Sequence, residues 1–75
     1  MLIQEIGNTI KERRRELGIT QSVLAELSDI SKNTIYKLER GESNPTLSIL
    51  TKLLEVLGLN LIIEVKQNEE IGNIS

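Results

Sequence analysis

Apolar residues return at helical spacing in four blocks along the chain. In the first, Ile3, Ile6, Ile10 and Leu17 line one face of a helix from Leu2 to Leu17, with Gly18 as its stop. Thr20 is placed to cap a short second helix ending near Ser28, in which Val23, Leu24 and Leu27 supply the buried face and Ala25 stays small. Asp29 and Ile30 then form a turn with Ser31, which caps a third helix running to about Arg40; Gly41 closes it in the left-handed conformation. After the loop "ESNP", Thr46 caps a fourth helix with a stripe of Leu47, Leu50, Leu53, Leu54 and Leu57, ended by Gly58.

Beyond Gly58 the period changes to two. Leu59, Leu61, Ile63 and Val65 alternate with Asn60, Ile62, Glu64 and Lys66, the pattern of a strand. A single strand leaves its backbone donors and acceptors unpaired, so a partner is required. The economical partner is the same strand of a second copy, antiparallel across a two-fold axis; the rival is the N-terminal "MLIQEI", which fits helix one better. The expected organisation is an all-α bundle of four main helices over residues 1–58, a dimerisation strand over 59–66, and a polar, frayed tail over 67–75.

Size and composition narrow the chemistry. At 75 residues and 8.4 kDa, with 39% hydrophobic residues, the chain holds one small domain near the lower limit for a self-sufficient core, and a partner subunit would help. It has no cysteine and no histidine, so disulfides, thiolate or imidazole metal sites and nucleophilic triads that use either residue are excluded; no cofactor or metal is expected. Apolar runs reach only three residues, as at Leu61 to Ile63, too short for a membrane span. Residues 1–10 carry Glu5 and lack a basic start, so no leader is expected there, and the expected location is the cytoplasm, at the nucleoid. The formal charge of -2 is unevenly spread: residues 11–40 hold seven basic groups against five acidic ones. A local basic face of that kind can neutralise a few phosphates.

The third helix carries the most informative pattern. Lys32, Asn33, Lys37 and Arg40 share one side, whereas Ile35 and Leu38 face the other. Two short helices joined by a tight turn have the dimensions of a helix-turn-helix, whose second helix matches the width of the DNA major groove. In that unit Ala25 would sit where the helices cross closely.

The stretch "GITQSVLAELSDISKNTIYKLERGESNPTLSILTKLLEVLGL" resembles the Cro/CI-type helix-turn-helix family, also called the Xre family, over about residues 7 to 58. The resemblance rests on "TQ" opening helix two, "LA" within it, "S..TI...ERG" through helix three and "NPTL" before helix four. It implies a lambda-repressor-like bundle and double-stranded DNA as the partner of a homodimer. Where the family's turn commonly has glycine this chain has Asp29, a residue that tolerates the left-handed region at some cost. The strand "LGLNLIIEV" resembles the HipB-like antitoxin subset, which adds a toxin protein as a possible partner.

Residue roles follow from side-chain chemistry and from this resemblance together. Asn33 is the first candidate for base reading, because its amide can both donate to and accept from adenine. Lys32 and Lys37 can reach guanine or adjoining phosphates; Tyr36, the only aromatic residue, can touch a thymine methyl or a phosphate, or pack on helix one. Gln21 and Ser22 open helix two, whose N-terminal N–H groups favour a phosphate, and the resemblance makes Gln21 a backbone clamp. Thr34, Arg40, Ser43, Asn44 and Thr46 are expected to complete that clamp. The resemblance also implies an ion pair between Arg14 and Glu39 that orients helix three. The remainder of "KERRRE", flanked by Glu12 and Glu16, reads as a solvated face.

The expected function is a sequence-specific regulator, a repressor occupying an inverted-repeat operator, with an antitoxin as the alternative. An enzyme is the weakest reading, since carboxylates alternate with Lys and Arg and no phosphate-binding glycine loop is present.

Overall fold

The computed structural model describes residues 2–65 and contains four helices: α1 (Ile3–Glu16), α2 (Gln21–Ser28), α3 (Lys32–Glu39) and α4 (Leu47–Leu57). Three of them begin at a hydroxyl cap. Thr20 Oγ1 accepts from Val23 N–H, Ser31 Oγ from Thr34 N–H and Thr46 Oγ1 from Ile49 N–H, each at 3.1 Å. Each cap satisfies one of the donors that a helix start leaves unpaired, an effect of about 1 kcal/mol. The last turn of α1 carries Arg13, Arg14 and Arg15, whose charges suit the negative end of its dipole.

The turn between α2 and α3 is made by Asp29 at φ 58° and ψ 32°, the single non-glycine residue with positive φ among those described. Its left-handed backbone lets Ile30 N–H reach Ala25 O at 3.3 Å and turns the chain sharply enough for Ser31 to start the next helix.

α1 and α2 each pack against both α3 and α4. The core is Ile10, Leu24, Ile30, Ile35, Leu38, Leu50, Leu53, Leu54 and Leu57. Six of these side chains are fully shielded from solvent, each contributing roughly 1.5–3 kcal/mol by burial. The apolar pattern overstates this core at several positions. Leu27 and Leu47 are 62% and 65% exposed, and Val23 and Leu17 are also exposed, so α2 buries Leu24 alone among its large apolar residues. Ala25 is half-buried and packs against the core. Gly7 of α1 meets the backbone of α3, and a Cβ there would clash with the Leu38 carbonyl oxygen.

After α4 the chain turns through Gly58, and Leu59 N–H donates to Leu54 O at 2.9 Å. Leu59 packs on the core, while Ile63 and Val65 are more than nine-tenths exposed. Residues 59–65 form no strand in the described chain. Lys66 and the tail 67–75 lie outside the described residues.

Candidate nucleic-acid interface

α3 presents Lys32, Asn33, Tyr36, Lys37 and Arg40 to solvent and buries Ile35, Leu38 and Glu39. The division follows from helical geometry. Positions 33, 36, 37 and 40 fall on one face at spacings of three and four, and the two aliphatic residues anchor the opposite face in the core. The N-terminal turn, with Lys32 and Asn33, is held in register by the Ser31 cap and by a 2.7 Å hydroxyl contact between Ser31 and Thr34.

Beneath this stripe lies a buried polar knot joining three helices. Arg14 of α1 donates through Nε to Glu39 Oε2 at 2.7 Å and through Nη2 to Glu39 Oε1 at 2.9 Å. Its Nη1 donates to the Ile19 carbonyl at 2.9 Å. Gln21 Nε2 of α2 donates to Glu39 Oε1 at 3.0 Å. Arg14 and Glu39 are 9% and 5% exposed, so the forked geometry works at reduced dielectric. Desolvation pushes the Glu39 carboxyl up, and hydrogen bonds from Arg14 and Gln21 with the charges of Arg14 and Lys11 outweigh it, leaving its pKa below the ordinary 4.5. The hydrogen bond from Arg14 to Glu39 in turn raises the pKa of the guanidinium against the effect of burial. Both groups are therefore charged at neutral pH.

The knot brings Gln21 to the edge of a polar groove of about 430 Å³ that also carries Arg15, Ser22 and Lys32. At the start of α2, Val23 N–H is taken by the cap and Leu24 N–H by Thr20 O, while the N–H groups of Gln21 and Ser22 have no backbone partner among the described residues. Gln21 spends one amide hydrogen on Glu39 and keeps the other. Thr34 and Thr46 keep hydroxyl capacity beyond their capping bonds, and Asn44 is exposed in the loop after α3. Ser43 is different: its Oγ is shut off from solvent and lacks a hydrogen-bond partner among the described residues, so the structure does not offer it to a phosphate.

Apart from Arg14, expected in the ion pair, the arginine run was read as a solvated face, and its other members part ways. Arg13 reaches across the chain to donate Nε to the Leu57 carbonyl at 2.8 Å, capping the C-terminus of α4. Arg14 enters the knot and Arg15 remains exposed at the groove. The basic run was the available signal for Arg15, but nothing local points Arg13 toward residue 57. Tyr36 also has a neighbour the pattern left open: the Arg40 guanidinium lies over its ring, 5.4 Å from the centroid.

A short helix pair with a left-handed turn, seated in a four-helix bundle with one polar stripe outward, defines a helix-turn-helix protein. The helix-turn-helix family profile, HTH_3, matches residues 10–62, more than half of the chain, and the chain belongs to that family. It is 36% identical over 63 residues to an uncharacterized HTH-type transcriptional regulator of Methanothermobacter thermautotrophicus, covering 84% of this chain and 91% of that one. It is 43% identical over 56 residues to an HTH-type transcriptional regulatory protein of Methanococcus vannielii, but covers only 17% of that protein's length against 75% of its own. Among solved structures, the restriction-modification controller protein C.AhdI of Aeromonas hydrophila superposes with a TM-score of 0.74 at 29% identity, over 77% of this chain and 88% of that one. These relatives carry regulator names; the antitoxin alternative finds no support in them and is not carried further.

Proposed function

We propose that the protein is a sequence-specific DNA-binding transcriptional regulator that acts by occupying an operator, as a repressor, and not by catalysing a reaction. The observation that carries this reading is the exposed stripe of α3, Lys32, Asn33, Tyr36, Lys37 and Arg40, with a buried knot joining three helices beneath it. Asn33 and its neighbours read base edges, while Gln21, Ser22, Thr34, Arg40, Asn44 and Thr46 hold phosphates and fix the register. Family membership supports the same reading, as does the excess of basic residues in this part of an otherwise acidic chain.

The working form is a homodimer. Leu59 and Leu61 lead out of a cleft of about 110 Å³ whose lining includes Ile6, Ile10, Leu50 and Leu54, and Ile62, Ile63 and Val65 continue an apolar surface into solvent. Pairing residues 59–66 of two copies across a two-fold axis covers that surface and satisfies the strand backbone. The two α3 helices then lie roughly 34 Å apart, one turn of B-DNA, and select an inverted repeat.

The test combines selection of duplexes from random sequence with sedimentation equilibrium. The expected result is an inverted-repeat consensus bound by a dimer, with Asn33→Ala relaxing one base-pair position by roughly 1–3 kcal/mol. A monomer equally tight on every duplex refutes the proposal.

A further inference from the structure

At the C-terminal end of α3 one of the cations in the stripe is already occupied. Arg40 Nε donates to Glu42 Oε2 at 3.1 Å, while its guanidinium covers Tyr36 at 5.4 Å. Lys32 and Lys37 make no such ion pair among the described residues. The arrangement is set by the backbone. Gly41 N–H returns to Leu38 O at 3.0 Å and Glu42 N–H to Lys37 O at 2.9 Å, folding residue 42 back over the last turn of α3 and delivering its carboxylate to the guanidinium. Arg40 and Glu42 are 56% and 50% exposed, so neither is needed for the core, and Arg40 belongs to the exposed stripe of α3.

A phosphate approaching Arg40 must displace a carboxylate, and an arginine that is already neutralised adds little counterion release. Non-specific DNA, held by phosphate contacts alone, bears this cost without compensation. An operator gains base contacts from Asn33 and its neighbours, which seat α3 deeply enough for the exchange to occur. Resting on the DNA-binding reading, we propose that Glu42 is a specificity-determining residue: it occupies Arg40 in the free protein and suppresses sequence-independent phosphate binding. Discrimination is thereby improved by weakening the wrong complex more than the right one.

The experiment is a set of fluorescence-anisotropy titrations over a range of salt. The probes are an inverted-repeat duplex selected by the protein itself and a scrambled duplex of equal length, each with the full-length wild type, E42Q, R40Q and E42Q/R40Q, all checked for unchanged helicity. E42Q is expected to tighten binding to the scrambled duplex about two- to five-fold at low salt, the range of an exposed ion pair. It should steepen the dependence of log K on log salt by about 0.9 per protomer and improve operator binding less. In the R40Q background the same substitution is expected to have no effect. An equal gain with and without Arg40 means that Glu42 acts through the general field, and overturns the proposal. Unchanged or weaker scrambled binding by E42Q also overturns it, and leaves the DNA reading standing if wild type binds the selected duplex. Wild type binding neither duplex removes both.

Discussion

Replacing Glu39 by alanine tests whether the knot beneath α3 holds the fold together. Glu39 accepts three hydrogen bonds, two from Arg14 and one from Gln21. Its loss leaves a guanidinium that is 9% exposed with the Ile19 carbonyl as its remaining acceptor, and frees the Gln21 amide. Breaking a buried pair from one side costs about 3–5 kcal/mol, because the surviving charge stays desolvated. A domain of this length has roughly 4–11 kcal/mol in all, so Glu39→Ala should bring it close to unfolding at 25 °C. Removing both charges with apolar residues, Arg14→Met with Glu39→Met, should cost far less than the sum of the single changes. Urea denaturation followed by circular dichroism at 222 nm on the wild type, Glu39→Ala, Arg14→Met, Glu39→Met and the double variant measures both quantities. A loss below about 1 kcal/mol for Glu39→Ala, or simple additivity in the double variant, would show that water reaches the pair and that the reasoning from burial is wrong.

Acid should weaken the same knot: Glu39 has a folded pKa below its ordinary 4.5, so its contribution is complete above that value and is lost as pH falls through the folded pKa, read as a falling midpoint in thermal melts that Glu39→Gln largely flattens. Gly7→Ala should destabilise by about 2 kcal/mol in chemical denaturation despite the helix propensity of alanine, since its Cβ meets the backbone of α3, which cannot rotate away; a stabilised variant would contradict the close crossing. Asp29→Gly should raise the unfolding free energy by about 0.5–1 kcal/mol by relieving the left-handed strain at φ 58°, with a loss of stability arguing that the aspartate has a contact of its own.

The helix starts at Thr20, Ser31 and Thr46 were legible in the sequence because each depends on a hydroxyl meeting an amide three residues on. The left-handed turn at Asp29 and the inward face of Ile35 and Leu38 were local in the same sense. The pairing of Arg14 with Glu39 is another matter: periodicity does not connect residues 25 apart, and it came through the family resemblance. The exposure of Val23, Leu27 and Leu47 was hidden because an apolar stripe does not say how wide a neighbour it will meet. Arg13 reaching Leu57, Gly7 against Leu38 and the occluded hydroxyl of Ser43 all depend on how separate segments dock. Among the candidate contacts, the stripe on α3 could be read from the helical wheel, whereas the bond from Gln21 to Glu39 and the occupation of Arg40 by Glu42 could not.

The tyrosine at position 36 has a practical corollary. With neither tryptophan nor phenylalanine elsewhere, near-ultraviolet emission and dichroism from the protein originate at one ring on α3, beneath one guanidinium. Spectroscopy of the free molecule therefore senses the exposed face of α3 in isolation, and detachment of that cation would register as a change in quantum yield without any attached dye.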